Sequence, residues 1–245
     1  MISYRIIVRL DIKGQNLIKG VQMEGLRVLG KPAEFAKRYA DEGADELFFF
    51  DTVASLYGRN QLEGLLSDAL ENTFIPITVA GGIRTLHDVE YSLRIGADRV
   101  AINTAGLRTP NLISRIVERW GGQALTVSIE AKRVNGGWEA YTDCGRERTG
   151  KDAIRWAHEA AELGAGELLI TSVDRDGTRK GFDAELLSYI DVDIPVIVSG
   201  GFGRVQHLSS ILDKTQGVAI GTALHYGECT IGEIKDALRP LKEIR

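Results

Sequence analysis

FIPITVAGGIR at residues 74 to 84 returns as DIPVIVSGGFGR at 193 to 204, so that Pro76 answers to Pro195 and Gly81 to Gly200 at an offset of about 119 residues. Each copy reads as a short buried strand closed by a Gly-Gly turn. Working outward, the same step recurs. DEGADELFFFD (41 to 51) matches AELGAGELLIT (161 to 171) and aligns Glu46 with Glu167, while RVAINTA (99 to 105) matches GVAIGTA (217 to 223) and aligns Thr104 with Thr222. Near the start, Leu10-Asp11-Ile12-Lys13 matches Ile129-Glu130-Ala131-Lys132. Landmarks in one order at nearly one spacing mark a duplicated βα plan, with half-barrels over approximately residues 1–120 and 121–245.

Strands are expected at Arg5 to Asp11, Glu46 to Asp51, Ile77 to Ala80, Arg99 to Asn103, Leu125 to Glu130, Glu167 to Ser172, Val196 to Ser199 and Val218 to Gly221. Between them PAEFAKRYADEG, LHDVEYSLRIGA, NLISRIVERWGG, KDAIRWAHEAAELGA and RVQHLSSILDK carry apolar residues at helical spacing. Alternation from end to end, with no Pro/Gly/Ser-rich linker, predicts an α/β protein: a single (β/α)₈ TIM barrel over residues 1–245, a length usual for that fold. The hydrophobic share of 44% and charged share of 26% are those of a globular protein. A net charge of −4 gives no global reason for nucleic-acid binding, so any anion site must be local. No apolar run has membrane-spanning length, and the two cysteines, Cys144 and Cys229, suit a reducing cytoplasm.

The duplicated turns imply duplicated chemistry. Gly81-Gly82 and Asn103-Thr104 end strands three and four; Ser199-Gly200-Gly201 and Gly221-Thr222 end strands seven and eight. Glycine backbones at that face of a barrel can approach an anion closely, although a lone Gly-Gly is more often just a tight turn. Two kits on this architecture point to a substrate phosphorylated at both ends. Asp11 and Glu130 close strands on opposite sides of the barrel, where two carboxylates can serve as general acid and base; the plainer reading is a loop cap or a lysine partner. Asp51, Thr171, Asp174, Asp176 and Gly177 fall at or just beyond strand ends and suit substrate hydroxyls, or Asx turns. Lys19, in IKGQNLIKG between Gly14 and Gly20, reads as a lid cation or a solvated loop lysine. At the opposite strand ends, Arg5, Glu46, Arg99 and Glu167 would form a ring of alternating charge, either a structural floor or a gate.

Together with KGV at 19 to 21, GGIR at 81 to 84, GWEAYTDCGRERTG at 137 to 150, TSVDRDGT at 171 to 178 and HYGECTIGE at 225 to 233, these features make the chain resemble the cyclase-subunit family of imidazole glycerol phosphate synthase, in histidine biosynthesis, over essentially its full length. The resemblance implies a lyase of a glutamine amidotransferase complex. Its glutaminase partner, in a heterodimer, would send ammonia through the barrel to a bis-phosphorylated ribulosyl-formimino-aminoimidazole carboxamide nucleotide. The products would be imidazole glycerol phosphate and aminoimidazole carboxamide nucleotide. It further implies Asp11 as principal acid/base, position 130 as its partner, Lys19 as loop lysine, Arg5, Glu46, Arg99 and Glu167 as ammonia gate, and Asp98 and Gln123 as docking residues.

The chain departs from the family's usual residues at Glu130 (Asp), Arg9 (Cys), Arg99 (Lys) and Cys144 (Ser). Strand alternation puts Arg9 inside the barrel below Asp11, where it needs Asp11 or Glu130 as partner and crosses the implied ammonia route. These departures leave open a paralogue that forms an amidino group on a surface-polysaccharide sugar, and, in another class, a non-catalytic barrel that activates a glutaminase. The related isomerase of the pathway shares the fold and carboxylate pair but not the charged ring. No Cys, His and Glu set suits glutamine hydrolysis, so a partner must supply ammonia. His158 and His207 fall on helices and read as surface residues, and His225 as a rim residue. No metal-ligand spacing or dinucleotide fingerprint is present, so no cofactor is expected.

Overall fold

The computed structural model describes residues 3–52, 69–70 and 73–242. In chain order its strands are β1 (Arg5–Lys13), β2 (Asn16–Val21), β3 (Glu24–Gly30), β4 (Glu46–Asp51), β5 (Ile77–Ala80), β6 (Arg99–Ile102), β7 (Leu125–Val134), β8 (Gly137–Thr142), β9 (Glu147–Asp152), β10 (Glu167–Ser172), β11 (Val196–Ser199) and β12 (Gly217–Ile220). Eight of them are parallel and close in the order β1, β4, β5, β6, β7, β10, β11, β12 and back to β1. With helices between them this is a (β/α)₈ barrel.

Strand pairing repeats as the sequence does. Ile7 pairs with Glu46 as Thr126 pairs with Glu167. Leu47 pairs with Ile77 as Leu168 pairs with Val196, and Thr78 with Arg99 as Ile197 with Gly217. Where the halves meet, Val100 pairs with Leu125 as Val218 pairs with Ile6. Equal register at every equivalent ladder places equivalent residues at equal height around the barrel.

Alternation along β1 sends Ile6, Val8, Leu10 and Ile12 outward into the layer under the helices, and Ile7 inward with Phe48, Phe50, Ala80, Ala101, Leu169, Ile197 and Ala219. Fully burying each large apolar side chain contributes about 1.5–3 kcal/mol. The helices start on local chemistry. Pro32 opens the helix Pro32–Asp41, Thr85 and Asp88 form a capping box before Leu86–Arg94, the Asp152 side chain caps Ala153–Glu162, and Thr230 with Glu233 boxes Ile231–Leu238.

The structure departs from the sequence reading in two places. RVQHLSSILDK contains a 3₁₀ helix, Val205–Ser210, where an α-helix is expected. Ser209 and Ser210 donate their hydroxyls to the carbonyls of Gln206 and His207, three residues back, a local bond that competes with helical pairing. Two antiparallel hairpins replace expected loops: β2–β3, and β8–β9 against β7. The second had a readable mark, Asn135-Gly136 between the extended runs of β7 and β8, with Gly136 at φ +91°.

Candidate active site

At the N-terminal floor the four expected charges meet. Arg5 bonds Glu46 at 3.0 Å and also pairs with Glu167; Arg99 bonds Glu46 at 2.9 Å and lies 4.0 Å from Glu167. Thr78 donates to Glu46 at 2.5 Å and Thr126 to Glu167 at 3.2 Å, so the ring is braced from adjoining strands. Burial, together with the like charge of Glu46, raises the pKa of Glu167 despite Arg5. Asp98 and Gln123 are exposed beside the ring, where Asp98 accepts from the Ile77 amide and Gln123 donates to the Trp120 carbonyl.

Above the floor stands Arg9, 3% exposed, with its guanidinium 4.4 Å from the centre of the Phe50 ring. Its partner is Asp11, not Glu130: Nε donates to Asp11 Oδ1 at 2.7 Å, and the head group also donates to Thr171 at 3.3 Å. His225 is held between the Tyr39 hydroxyl (2.8 Å) and the Arg9 carbonyl (3.0 Å), so the histidine that reads as a rim residue braces β1 from outside.

Lys19 does not lie in an irregular lid. It is on β2 of the β2–β3 hairpin, which the turn at Gly14 (φ +60°) between β1 and β2 folds back over the barrel mouth. At the mouth Lys19 is 3% exposed and donates to Asp11 Oδ2 at 2.6 Å and to Asp176 at 3.4 Å. The hairpin is tied to the segment after β10 by Gln22, whose backbone amide donates to the Asp176 carbonyl at 2.8 Å. Burial alone would raise the pKa of Asp11, but Arg9 and Lys19 outweigh it and hold the carboxyl well below its usual range. Burial disfavours the lysine cation too, yet Asp11 and Asp176 shift its pKa upward.

Glu130 is the counterpart of Asp11 on β7 and is 1% exposed. Its Oε2 accepts from Asn103 Nδ2 at 2.8 Å and from the Gly145 amide at 2.9 Å. Burial, reinforced by the nearby carboxylates Asp143 and Asp11, pushes its pKa up to about 7 against the opposing pull of Arg9 and the Gly145 amide. It lines a cavity of about 180 Å³ together with Asp51, Gly81, Gly82, Asn103 and Thr104, the first glycine kit. Arg84, Arg108, Ser128 and Cys144 also line this cavity and were not singled out as ligand contacts in the sequence. Ser128 was legible there: it lies two residues before Glu130 on the same inward face.

The second kit, Ser199, Gly200, Gly201, Gly221 and Thr222, lines a smaller space of about 20 Å³ together with Arg9, Lys19, Asp176 and Gly177. The two kits share backbone geometry. Gly81 (φ +98°) and Gly200 (φ +91°) lie so close to the preceding strand that a Cβ would come 2.4 Å from the Asp51 carbonyl and 2.6 Å from that of Ser172. Asn103 (φ −122°, ψ −82°) and Gly221 (φ −122°, ψ −76°) turn the chain alike at the ends of β6 and β12. Asp174 instead accepts from the Arg133 amide at 2.7 Å, a structural contact.

A family model described as histidine biosynthesis protein matches residues 5–230. The chain belongs to the histidine biosynthesis protein family. The region matched in that family spans every barrel strand, from β1 to β12. The chain is similar to the imidazole glycerol phosphate synthase subunit HisF of Legionella pneumophila, with 57% identity over 212 residues, 85% of this chain and 100% of that one. It is 45% identical to the subunit of that name from Myxococcus xanthus over 243 residues and from Trichormus variabilis over 247 residues, covering 98% of this chain and 96% of theirs in each case. Among the described residues, no helix is long and apolar enough to cross a membrane.

Proposed function

We propose that this chain is the cyclase subunit of imidazole glycerol phosphate synthase. In this reading it takes ammonia from a glutaminase partner and converts the bis-phosphorylated ribulosyl-formimino nucleotide into imidazole glycerol phosphate and aminoimidazole carboxamide nucleotide. The observation that carries the reading is the placement of Asp11 and Glu130 on β1 and β7, four strands apart around the closed barrel, with a glycine kit after β5 and β6 and its twin after β11 and β12. A molecule gripped by an anion at each end then spans both carboxylates.

The open cavity takes one phosphate between Gly81, Gly82, Asn103 and Thr104, with Arg84 and Arg108 at hand. The other phosphate needs the β2–β3 hairpin to rise, since its cradle is a space of only about 20 Å³ that Lys19 of that hairpin lines. Lys19 then returns as a lid cation that shuts out water. Asp51, Thr171 and Asp176, all buried, are placed for substrate hydroxyls. Ammonia enters through the floor when the ion pairs of Arg5, Arg99, Glu46 and Glu167 part, and a partner docked over exposed Asp98 and Gln123 is in position to part them.

Growth of a cyclase-deficient histidine auxotroph tests the reading. Rescue by this chain, lost when Asp11→Asn and Glu130→Gln are combined, is expected. A soluble chain that fails to rescue would contradict it.

A further inference from the structure

Asp11 and Glu130 answer to each other across the duplication, so the residues two places before them, Arg9 and Ser128, are counterparts as well. Inward along β1 come Ile7, Arg9 and Asp11; inward along β7 come Thr126, Ser128 and Glu130. At mid-height one half therefore carries a guanidinium and the other a single hydroxyl.

The space inside the barrel follows that difference. Beside Ser128 the inward residues of β5 and β6 are Ala80 and Ala101, and the cavity of about 180 Å³ that opens at the first glycine kit reaches down to all three. Arg9 lines two narrower spaces of about 20 Å³ each, and Ile7, Leu169 and Ile197 pack the interior on β1, β10 and β11. The guanidinium is also pinned, by Asp11 at 2.7 Å, by Thr171 at 3.3 Å and by the Phe50 face. Below Ser128, roughly 7 Å along the strand, Thr126 donates to Glu167 of the floor ring at 3.2 Å. Thr126, Ser128 and the cavity thus make a file from floor to mouth that bypasses Arg9.

Ser128 is 1% exposed, and its Oγ has no hydrogen-bond partner. A buried hydroxyl is seldom left unpaired in a native fold, so this one marks where a small polar ligand belongs. A hydroxyl can donate one bond and accept others, which suits a molecule that is donor and acceptor at once. Ammonia, with a lone pair and three N–H bonds, is such a molecule, and Ala80 and Ala101 leave it room.

We propose that ammonia crosses this barrel along β7, held by the Ser128 hydroxyl between the floor ring and the cavity, while Arg9 closes the line through the opposite half. This inference rests on the cyclase reading above and adds the route to it. No covalent bond is made or broken in transit; ammonia arrives neutral, exchanges hydrogen bonds with Ser128 and leaves neutral.

The test uses the full-length chain in complex with its glutaminase subunit, supplied at once with amide-¹⁵N glutamine and unlabelled ammonium salt. The ratio of labelled to unlabelled imidazole glycerol phosphate, read by mass spectrometry, reports which route delivered the nitrogen, whatever the rate of the chemistry. Ser128→Val suits a strand and puts methyl groups into the passage. It is expected to lower the ratio by on the order of 10-fold or more. Ser128→Ala keeps the passage open and removes only the hydroxyl, and is expected to lower the ratio by about 5-fold. Ala219→Val, on the inward side of β12 where Ala219 pairs with Ile7, is expected to leave the ratio unchanged. A ratio unchanged in both Ser128 variants, or lowered as far by Ala219→Val, would overturn the assignment. A wild-type complex that makes imidazole glycerol phosphate from ammonium salt alone refutes the passage and leaves the cyclase reading standing; one that makes none from either source refutes the cyclase reading.

Discussion

Glu130 and Asp11 bend the pH dependence of stability in opposite directions. In the fold Glu130 keeps its proton until about pH 7, whereas the unfolded chain gives it up in the ordinary carboxyl range. Stability is therefore lost as pH rises through that window. Glu130→Gln removes the cost, so denaturant unfolding should show the variant gaining about 3 kcal/mol on the wild type at pH 8 and little at pH 4. The lowered pKa of Asp11 works the other way, with stability present above the ordinary carboxyl range and lost as pH falls below it. At the floor, Arg5→Met leaves Glu167 with Thr126 and a distant Arg99. It should cost about 3–5 kcal/mol in the same assay, as expected when one partner of a buried ion pair is removed. At this scale the sequence disclosed residue identity but not pairing. Alternation placed Arg9 inside, yet only the folded barrel selects Asp11 over Glu130 as its partner, because the choice depends on rotamer, on Phe50 from the adjacent β4 and on Thr171 from β10, three strands away around the barrel.

Among the elements, the eight barrel strands were legible because burial on both faces makes each an apolar run bounded by turn residues. The β2–β3 hairpin was not. Its strands carry Asn16, Lys19, Glu24 and Arg27 and lack a clean alternation, and their order comes from docking on the segment after β10. The sequence reading expects anion cradles at the paired Gly-Gly turns, and their backbone geometry supplies a discriminating experiment. Gly81→Ala and Gly200→Ala each force a Cβ against a strand carbonyl at positive φ, so each should destabilise by about 1–3 kcal/mol. If both cradles hold phosphate, each variant should also raise KM for the nucleotide; a variant with lowered stability and unchanged KM would reduce its turn to a structural role.

At the scale of the whole molecule, the duplicated sequence and the duplicated ladder register are one fact seen twice. Fragments 1–120 and 121–245 would meet through the β6–β7 and β12–β1 pairings, the floor ion pairs of Glu167 with Arg5 and Arg99, and the bonds of Lys19 and Gln22 to Asp176. Co-expressed, they are expected to associate into a barrel-sized complex on size exclusion, with each alone aggregating or partly folded; independent soluble fragments that ignore each other would argue against half-barrel units.

The most direct test of the account is to incubate the purified chain with the bis-phosphorylated ribulosyl-formimino nucleotide and ammonium salt, with no partner present, and to follow both products. The account predicts imidazole glycerol phosphate and aminoimidazole carboxamide nucleotide in equal amounts, with turnover collapsing in Glu130→Gln. Unchanged substrate in the presence of the wild-type chain, or turnover indifferent to Glu130, would contradict it.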